Sequence, residues 1–265
     1  MSTDGAKAVL LRRDGPVTEL VLNRPDHLNA IDDELADGLL GGLDLVGGDA
    51  SCRCLVITGS GRGFCSGQAL GSSVSADALA QEVGALVRRR YVPIITKIRE
   101  LPLPVVAAVN GAAAGAGFSL ALAADLRVAS EAAWFSCAFS GIGLVPDSGA
   151  SFFLPRYVGL AKAIEMALTG RRVGAAEAAT LGLVTYVYSA ETFSQDYSTL
   201  AHHLAQGPTR AFALTKRALS EATDNSLSQQ LELEAVLQQE AAETDDFHEG
   251  LSAFRNKRAP QFVGH

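Results

Sequence analysis

The segment of residues 104–129 constrains the fold of this chain more than any other feature. It reads PVVAAVNGAAAGAGFSLALAADLRVA, a valine-rich run followed by glycine and alanine and then by an apolar helical pattern. Val105, Val106 and Val109 suit a strand buried on both faces, and the glycines permit tight turns and close backbone approach. The pattern predicts a strand, an elbow and a helix whose first N–H groups can meet a negatively charged oxygen.

Two other interpretations of this segment are disfavoured. A membrane span with a small-residue packing face is interrupted by Asn110 and Ser119 and is closed by Asp125 and Arg127. The glycine spacing is not GxGxxG, and no acidic residue stands ~20 residues further on, as a dinucleotide site requires. A tightly packed strand and helix without any ligand remains an alternative for the segment taken alone.

Composition narrows the class of protein. Of the 265 residues, 48% are hydrophobic and 19% charged, which favours apolar surface covered by partner subunits. A net charge of −7 disfavours a general nucleic-acid binder. The N-terminal residues resemble neither a secretory signal nor a transit peptide, so a cytoplasmic protein is expected. The four cysteines have no metal-site spacing and are expected to be reduced and mostly buried.

Strand and helix patterns alternate along most of the chain, which indicates an α/β domain over residues 1–190. Strands are predicted at 8–11, 17–22, 54–58, 105–109, 126–129 and 184–188, and helices at 32–46, 76–99, 117–124, 160–169 and 175–181. Residues 191–265 are predicted to be wholly helical, with Leu227, Leu231 and Ala235 along one face.

A second glycine-rich turn follows the strand LVIT. It reads GSGRGFCSGQAL over residues 59–70, and it lacks the GK[ST] ending of a phosphate-binding loop. The chain also has no GxSxG elbow, the commonest serine hydrolase signal. Two such turns, each after a buried strand, could supply two N–H donors that converge on one carbonyl oxygen, which is the geometry of an oxyanion hole.

Five segments, in order along the chain, carry a family resemblance over residues 9–263. They are LNRPDHLNAID at 22–32, GSGRGFCSGQAL at 59–70, PVVAAVNGAAAGAGFSLALAADLRVA at 104–129, GIGLVPDSGASFFLPRYVG at 141–159 and FHEGLSAFRNKRAPQF at 247–262. The sequence resembles the crotonase superfamily, also called the enoyl-CoA hydratase/isomerase family. The resemblance implies a core of ββα units and a C-terminal helical region that forms a homotrimer or a hexamer. It also implies an acyl-CoA thioester as substrate, with no separate cofactor, no metal and no membrane or nucleic-acid partner.

By motif position, the resemblance makes the backbone amides of Gln68 and Ala116 the oxyanion donors, so their side chains are expected to matter less than their N–H groups. The hydratases of the family carry two glutamates, and the matching positions here are Ser119 and Phe139, neither of which is an ordinary general base. Asp147 matches the aspartate that the family's isomerases use to move protons. A single carboxylate favours an isomerase, with phenylacetate-pathway-type isomerases the nearest in pattern.

The resemblance also assigns eight positions to substrate and CoA binding. They are His27, Leu28, Ser66, Ala69, Leu70, Phe139, Phe254 and Lys257. Phe254 and Lys257 would reach the nucleotide end of CoA, often from a neighbouring subunit. Ala69 replaces the family's usual aspartate, so one local hydrogen bond is expected to be missing.

Structural explanations stand beside these assignments. Asp147 follows Pro146 and could cap a helix, and the arginines at 88–90 are expected to form a solvated face or else to contact a CoA phosphate. Asp125 is expected to pair with Arg127 or to contact the backbone. Acids at the start of the first helix are expected to cap it or to favour its dipole: Asp26, Asp32, Asp33 and Glu34. Aromatic residues could line the acyl pocket or the core: Trp134, Phe135, Phe139, Phe152 and Phe153.

Three other functions stay open at this point. One is a hydratase that uses another acid. The second is a non-catalytic acyl-CoA binding protein, since fold alone does not establish activity. The third is dehalogenation or hydrolysis with Asp147 as nucleophile.

Overall fold

The computed structural model describes residues 7–69 and 76–265, and strands β1 to β10 lie in two sheets. The strands are β1 (Val9–Asp14), β2 (Val17–Leu22), β3 (Cys54–Gly59), β4 (Gly63–Cys65), β5 (Val105–Val109), β6 (Ala112–Ala114), β7 (Leu126–Ser130), β8 (Trp134–Ser136), β9 (Val173–Gly174) and β10 (Tyr186–Tyr188). The large sheet has the order β1-β2-β3-β5-β7-β10 and is parallel except for the hairpin of β1 and β2. The small sheet has the order β4-β6-β8-β9.

The helices follow the strands in the expected alternation. They are α1 (Asp33–Gly47), α2 (Ala76–Leu86), α3 (Val92–Glu100), α4 (Ala116–Ala123), α5 (Ala150–Val158), α6 (Leu160–Thr169), α7 (Ala175–Thr180), α8 (Phe193–Ala205), α9 (Thr209–Glu221), α10 (Leu227–Ala242) and α11 (Asp245–Arg255). A π turn at Val87–Tyr91 joins α2 to α3, and short 3₁₀ turns lie at Pro25–His27 and Ala138–Ile142. Asp32 caps α1 by accepting the Leu35 N–H at 2.8 Å, which confirms its capping role.

Repeated ββα units build the core, as the resemblance implies. β3, β5 and β7 of the large sheet are each followed by one short strand of the small sheet, namely β4, β6 and β8. The sequence patterns did not predict these short strands, because each has only three residues and β6 consists of alanines within the predicted elbow. The carboxyl ends of the long strands therefore lead directly into the small sheet, and the glycine-rich turns lie there.

Strand β5 is buried along its whole length, which confirms the prediction from its valines. Val105 and Val109 belong to the main core cluster, which includes the buried leucines of α1. Val106 belongs to a second cluster with Phe193 and Ala201 of α8 on the other face of the sheet. Each fully buried valine or leucine contributes roughly 1.5–3 kcal/mol, so the two layers hold β5, and the elbow after it, in place.

The predicted helix at 76–99 is interrupted by the π turn. Pro93 has no N–H to donate to the carbonyl four residues earlier, so the regular α-helical bonding is broken at that point. The Val92 N–H bonds instead to the carbonyl of Val87, five residues back.

Asp125 contacts the backbone, which confirms one of the two expectations for this residue. The other expectation, a pair with Arg127, is wrong. Its carboxylate accepts the Val105 N–H at 2.9 Å and pairs with Arg99 at 3.2 Å and Lys216 at 2.7 Å. The Arg127 guanidinium is buried, and it donates instead to the carbonyls of Leu183 and Ala124. The ion pair therefore connects the start of β5 to α3 and α9.

Two expectations concern the state of the cysteines and the presence of a membrane-spanning helix. All four cysteines lie in the described ranges, and all are free and buried, as expected. Within residues 7–69 and 76–265, every helix is too short or too polar to cross a bilayer.

Candidate active site

A cavity of about 460 Å³ opens where the glycine-rich turn after β4 meets the first turn of α4. This volume is within the range of small-molecule sites. Its walls are mostly apolar and come from the turn after β4, α2 with the π turn, the start of α4, and residues 138–147. The described lining residues are Ser66, Gly67, Gln68, Ala80, Val83, Leu86, Val87, Tyr91, Gly115, Ala116, Ala138, Phe139, Ile142, Leu144 and Asp147.

The two expected donor segments lie against each other. Gly67 has φ +99°, and a Cβ at this position would stand 2.9 Å from the Ala114 carbonyl oxygen and 3.3 Å from the Ala116 nitrogen. A Cβ on Gly117 would stand 2.2 Å from the Cys65 carbonyl oxygen. Both glycines are therefore needed for the close approach of the two backbones. The approach places Gln68 and Ala116 on one wall of the cavity.

Backbone geometry aims both amides away from existing partners. Ile31 bridges the Gln68 segment: its N–H donates to the Gly67 carbonyl at 2.7 Å, and its carbonyl accepts the Ala69 N–H at 3.0 Å. Because successive N–H groups of an extended segment point to opposite sides, the Gln68 N–H points away from Ile31. Ala116 begins α4, so its N–H is one of those that a helix leaves without an intrahelical acceptor.

Asp147 contributes a half-buried carboxylate to the same cavity. The Ser148 hydroxyl donates to it at 2.8 Å, and Ser148 has φ +53°, an uncommon value for a residue other than glycine. Burial raises the pKa of the Asp147 carboxyl, and the Ser148 hydrogen bond partly offsets that rise. The N-cap of α5 is Gly149, with no side-chain cap, so the helix-capping explanation for the carboxylate is wrong.

The two positions expected to match hydratase glutamates hold no acid and have structural contacts. Ser119 is fully buried, and its hydroxyl oxygen lies 3.0 Å from the Asp147 carbonyl oxygen and 3.3 Å from that of Gly115. Its hydroxyl can donate to either carbonyl, which ties α4 to the segment that carries Asp147. Phe139 lines the cavity with 6% of its surface exposed. Neither side chain can activate a water molecule as a carboxylate does.

Arg90 and Tyr91 are contacts of the site that the sequence patterns missed. The Gln68 side-chain oxygen accepts from Arg90 Nη1 at 2.9 Å and from the Tyr91 hydroxyl at 2.5 Å. Arg90 is only 7% exposed and also pairs with Asp33, so the predicted solvated face is wrong for Arg90 and right for Arg88 and Arg89. One signal was present: Arg90 stands three and seven residues after the cavity-lining Val87 and Val83, on the same helical face.

Ionisation of two neighbouring groups is suppressed by burial. Burial raises the pKa of Tyr91 far above its usual value, and the nearby Asp147 raises it further, so the phenol stays protonated near neutral pH. Burial also raises the pKa of the Cys137 thiol to about 11, again with a contribution from Asp147. A neutral thiol is a poor nucleophile.

The predicted CoA-binding positions divide into two groups. The Ser66 N–H donates to the Leu28 carbonyl at 2.9 Å, and the Ser66 hydroxyl donates to the His27 carbonyl at 3.3 Å, so these three lie together beside the cavity mouth. Ala69 follows Gln68 at the same edge, and Leu70 lies outside the described residues. Phe254 is 83% exposed near the end of α11 and Lys257 is exposed just beyond it, and neither lines the cavity of its own chain.

Of the five aromatic candidates, the described cavity wall includes Phe139 alone. Phe135 packs in the core against Phe118, and Phe153 packs in the core with Tyr157. Exposed Phe152 lies under the Arg156 guanidinium, and Trp134 lies under that of Arg172. The core interpretation is therefore confirmed for Phe135 and Phe153, and an acyl-pocket role stays a prediction for Phe139.

Comparisons with known proteins agree on one family. The family model described as enoyl-CoA hydratase/isomerase matches residues 12–265. A 1,2-epoxyphenylacetyl-CoA isomerase from Escherichia coli (strain K12) is 43% identical over 94% of this chain and 95% of its own length. A relative from Rhodobacter capsulatus described as a probable enoyl-CoA hydratase is 46% identical over 92% of this chain and 93% of its own. The crystal structure of an enoyl-CoA hydratase from Bacillus anthracis superimposes with a TM-score of 0.89 at 30% identity, covering 97% of this chain and all of that one.

Proposed function

Because the chain belongs to the enoyl-CoA hydratase/isomerase family, we propose that it shifts a double bond in an acyl-CoA thioester with Asp147 as the proton-transfer residue. The amides of Gln68 and Ala116 hold the thioester carbonyl oxygen. The observation that carries this proposal is the composition of the cavity wall: among its described residues, Asp147 is the only carboxylate.

The proposed reaction needs one base and two donors. The Asp147 carboxylate removes a proton from carbon 2 or carbon 4 of the acyl group, and negative charge develops on the thioester oxygen. Each amide that donates to this oxygen lowers the barrier by about 3 kcal/mol, judging from the loss of one such donor in other enzymes. Asp147 then returns the proton to the other carbon. Burial raises the pKa of the Asp147 carboxyl, which makes the carboxylate a stronger base for the removal step. The carboxylic acid formed in that step then holds the proton that it returns.

Hydration is the second candidate, favoured by the description of the Rhodobacter capsulatus relative. It requires an activated water molecule beside the double bond. Ser119 and Phe139 stand at the positions where hydratases carry their glutamates, and Ser119 is engaged with backbone carbonyls. These contacts support isomerisation over hydration.

The acyl group can carry a ring. The Escherichia coli relative is named for an epoxyphenylacetyl-CoA substrate, and the cavity here combines an apolar wall with a volume of about 460 Å³. Both support an aromatic or alicyclic acyl group beside linear enoyl groups. We place ring-bearing thioesters in the substrate panel for this reason.

The C-terminal helices support assembly into a trimer or a dimer of trimers. Leu227, Leu231 and Val236 of α10 are exposed in the single chain, as is Phe254 of α11. Burial of such apolar side chains between subunits is a common reason for their exposure in a protomer. In that assembly Phe254 and Lys257 would serve the CoA site of a neighbouring subunit. Light scattering of the purified protein measures the mass that decides this.

Deuterium exchange tests the proposed reaction. Enoyl, dienoyl and arylacetyl CoA esters are incubated with the protein in heavy water, and deuterium at the acyl carbons is followed by mass spectrometry. We expect exchange and double-bond migration with the wild type, none with Asp147→Asn, and wild-type rates with the exposed control Asp224→Asn. Loss of the conjugated thioester absorbance through water addition would identify a hydratase. Tight binding without exchange would identify a non-catalytic binder.

A further inference from the structure

The side-chain oxygen of Gln68 accepts two hydrogen bonds. Arg90 Nη1 lies 2.9 Å from its side-chain oxygen and the Tyr91 hydroxyl lies 2.5 Å from it. Both donors come from adjacent residues of the π turn Val87–Tyr91. A π turn has more residues per turn than an α-helix, so adjacent side chains diverge less and can reach one acceptor.

The same arginine also holds the segment that bridges Gln68. Arg90 Nη1 lies 3.4 Å from the carbonyl oxygen of Ile31, and its other terminal nitrogen pairs with Asp33 at the start of α1. Ile31 in turn bonds to the backbone on both sides of Gln68, through Gly67 and Ala69. The guanidinium therefore touches both the side chain of Gln68 and the strand partner of its backbone.

A restraint at this point has a physical purpose. The direction of the Gln68 N–H is set by the peptide that joins it to Gly67, and glycine is the residue least able to restrict that peptide. Glycine is nevertheless required there, because a Cβ would stand 2.9 Å from the Ala114 carbonyl oxygen. The Gly67 carbonyl of this peptide accepts the Ile31 N–H at 2.7 Å, and the hydrogen-bonded side chain of Gln68 supplies a second restraint on its other side.

We infer that Arg90 and Tyr91 are positioning residues. Their hydrogen bonds to the side chain of Gln68 hold its backbone N–H in the donor orientation. The inference rests on the proposed oxyanion role of that amide. It also changes the expectation from the sequence that the side chain of Gln68 matters little. Tyr91 remains a donor across the neutral range, since burial raises its pKa.

Three variants separate positioning from direct contact with substrate. Tyr91→Phe removes one donor and keeps the ring on the cavity wall, and Gln68→Ala removes the acceptor and keeps the backbone amide. If Tyr91 acts through Gln68, the double variant loses no more than the Gln68 variant alone. If Tyr91 touches the substrate itself, or only stabilises the fold, the two losses add. Tyr197→Phe is the matched control, because it removes another partly buried hydroxyl. Tyr197 lies on α8, outside the cavity wall, and its hydroxyl donates to Glu19 at 2.6 Å.

The readouts are kcat, KM and the stretching frequency of a bound thioester carbonyl. For turnover we expect kcat to fall about 10- to 100-fold in each single variant and in the double variant, with KM changed less than about threefold. For the bound state, butanoyl-CoA labelled with ¹³C at the thioester carbon is followed by infrared difference spectroscopy. We expect a shift to lower frequency on binding to the wild type and to Tyr197→Phe, and a smaller shift in the three variants.

The outcomes distinguish this inference from the function beneath it. A full carbonyl shift and an unchanged kcat in Tyr91→Phe, or additive losses in the double variant, overturn the positioning role and leave the oxyanion role intact. An absent carbonyl shift in the wild type overturns the oxyanion role, and the positioning role with it. Equal losses of kcat and of carbonyl shift in single and double variants support the inference.

Discussion

Replacing Gly67 with alanine should separate the two proposed oxyanion donors without removing either N–H group. The new Cβ would stand 2.9 Å from the Ala114 carbonyl oxygen and 3.3 Å from the Ala116 nitrogen. Both neighbours are backbone atoms, so no flexible side chain can move aside. The turn that carries Gly67 and Gln68 must shift away from α4 by about 0.5 Å to restore ordinary van der Waals contact.

Two costs follow from this substitution. The φ of +99° at Gly67 disfavours any residue with a Cβ, by about 1–2 kcal/mol. The overlap with the Ala114 carbonyl adds about 1–3 kcal/mol. Together they remain below the stability of an ordinary domain, so the variant should fold. A displacement of one donor by about half an ångström should lower kcat about 10- to 100-fold.

The assay compares Gly67→Ala with Gly15→Ala. Gly15 also has a positive φ, +56°, but a Cβ there meets nothing within 4 Å, and it lies in the hairpin of β1 and β2. Chemical denaturation should show both variants destabilised, and deuterium exchange should show only Gly67→Ala slowed. A folded Gly67→Ala with kcat within about twofold of the wild type would refute the convergence of the two donors on one oxygen.

Three further outcomes are expected. Asp147→Asn should raise the free energy of unfolding at pH 7, because burial raises the pKa of the Asp147 carboxyl and the folded state disfavours its ionised form. The gain should vanish by pH 3, where both folded and unfolded chains hold the proton, and denaturation curves that keep the gain at pH 3 would contradict this. Lys216→Met should lower the free energy of unfolding by about 2–4 kcal/mol, because it removes a partner of Asp125 and the donor to two backbone carbonyls. Urea denaturation measures this loss, and a value under about 1 kcal/mol would contradict the prediction. Lys257→Ala should raise KM for the acyl-CoA about tenfold at low salt and less at high salt, and steady-state kinetics showing an unchanged KM at low salt would exclude a phosphate contact.

Sequence patterns predicted the long elements well, because those elements depend on local periodicity. The strand at 105–109 was predicted with the bounds that β5 has in the structure, and the helix at 160–169 matches α6. The patterns failed where an element is short or is controlled by a distant partner. Strand β6 is three alanines that pair with β4 and β8, and alanines alone have no strand signal.

The residue types of the site could be identified from the sequence. The glycines at 67 and 117 and the aspartate at 147 stand in motifs whose spacing and resemblance carry the proposed chemistry. The absence of an acid at 119 and 139 is equally legible, and it favours isomerisation. These features are local, since each depends on which side chains a short segment has or lacks.

The contacts of Gln68 could not be predicted in the same way. Arg90 follows two other arginines, and its charge alone predicted exposure, yet the fold buries it against the carbonyl of Ile31 and the side chain of Gln68. Tyr91 likewise meets Gln68 across 23 positions of the chain. Such contacts depend on how the π turn packs against the turn that carries Gln68, and no periodicity within either segment specifies that packing. The glycines and alanines at 104–129 therefore allow the start of α4 to approach the turn of Gly67 and Gln68, and only long-range packing decides which side chains meet Gln68.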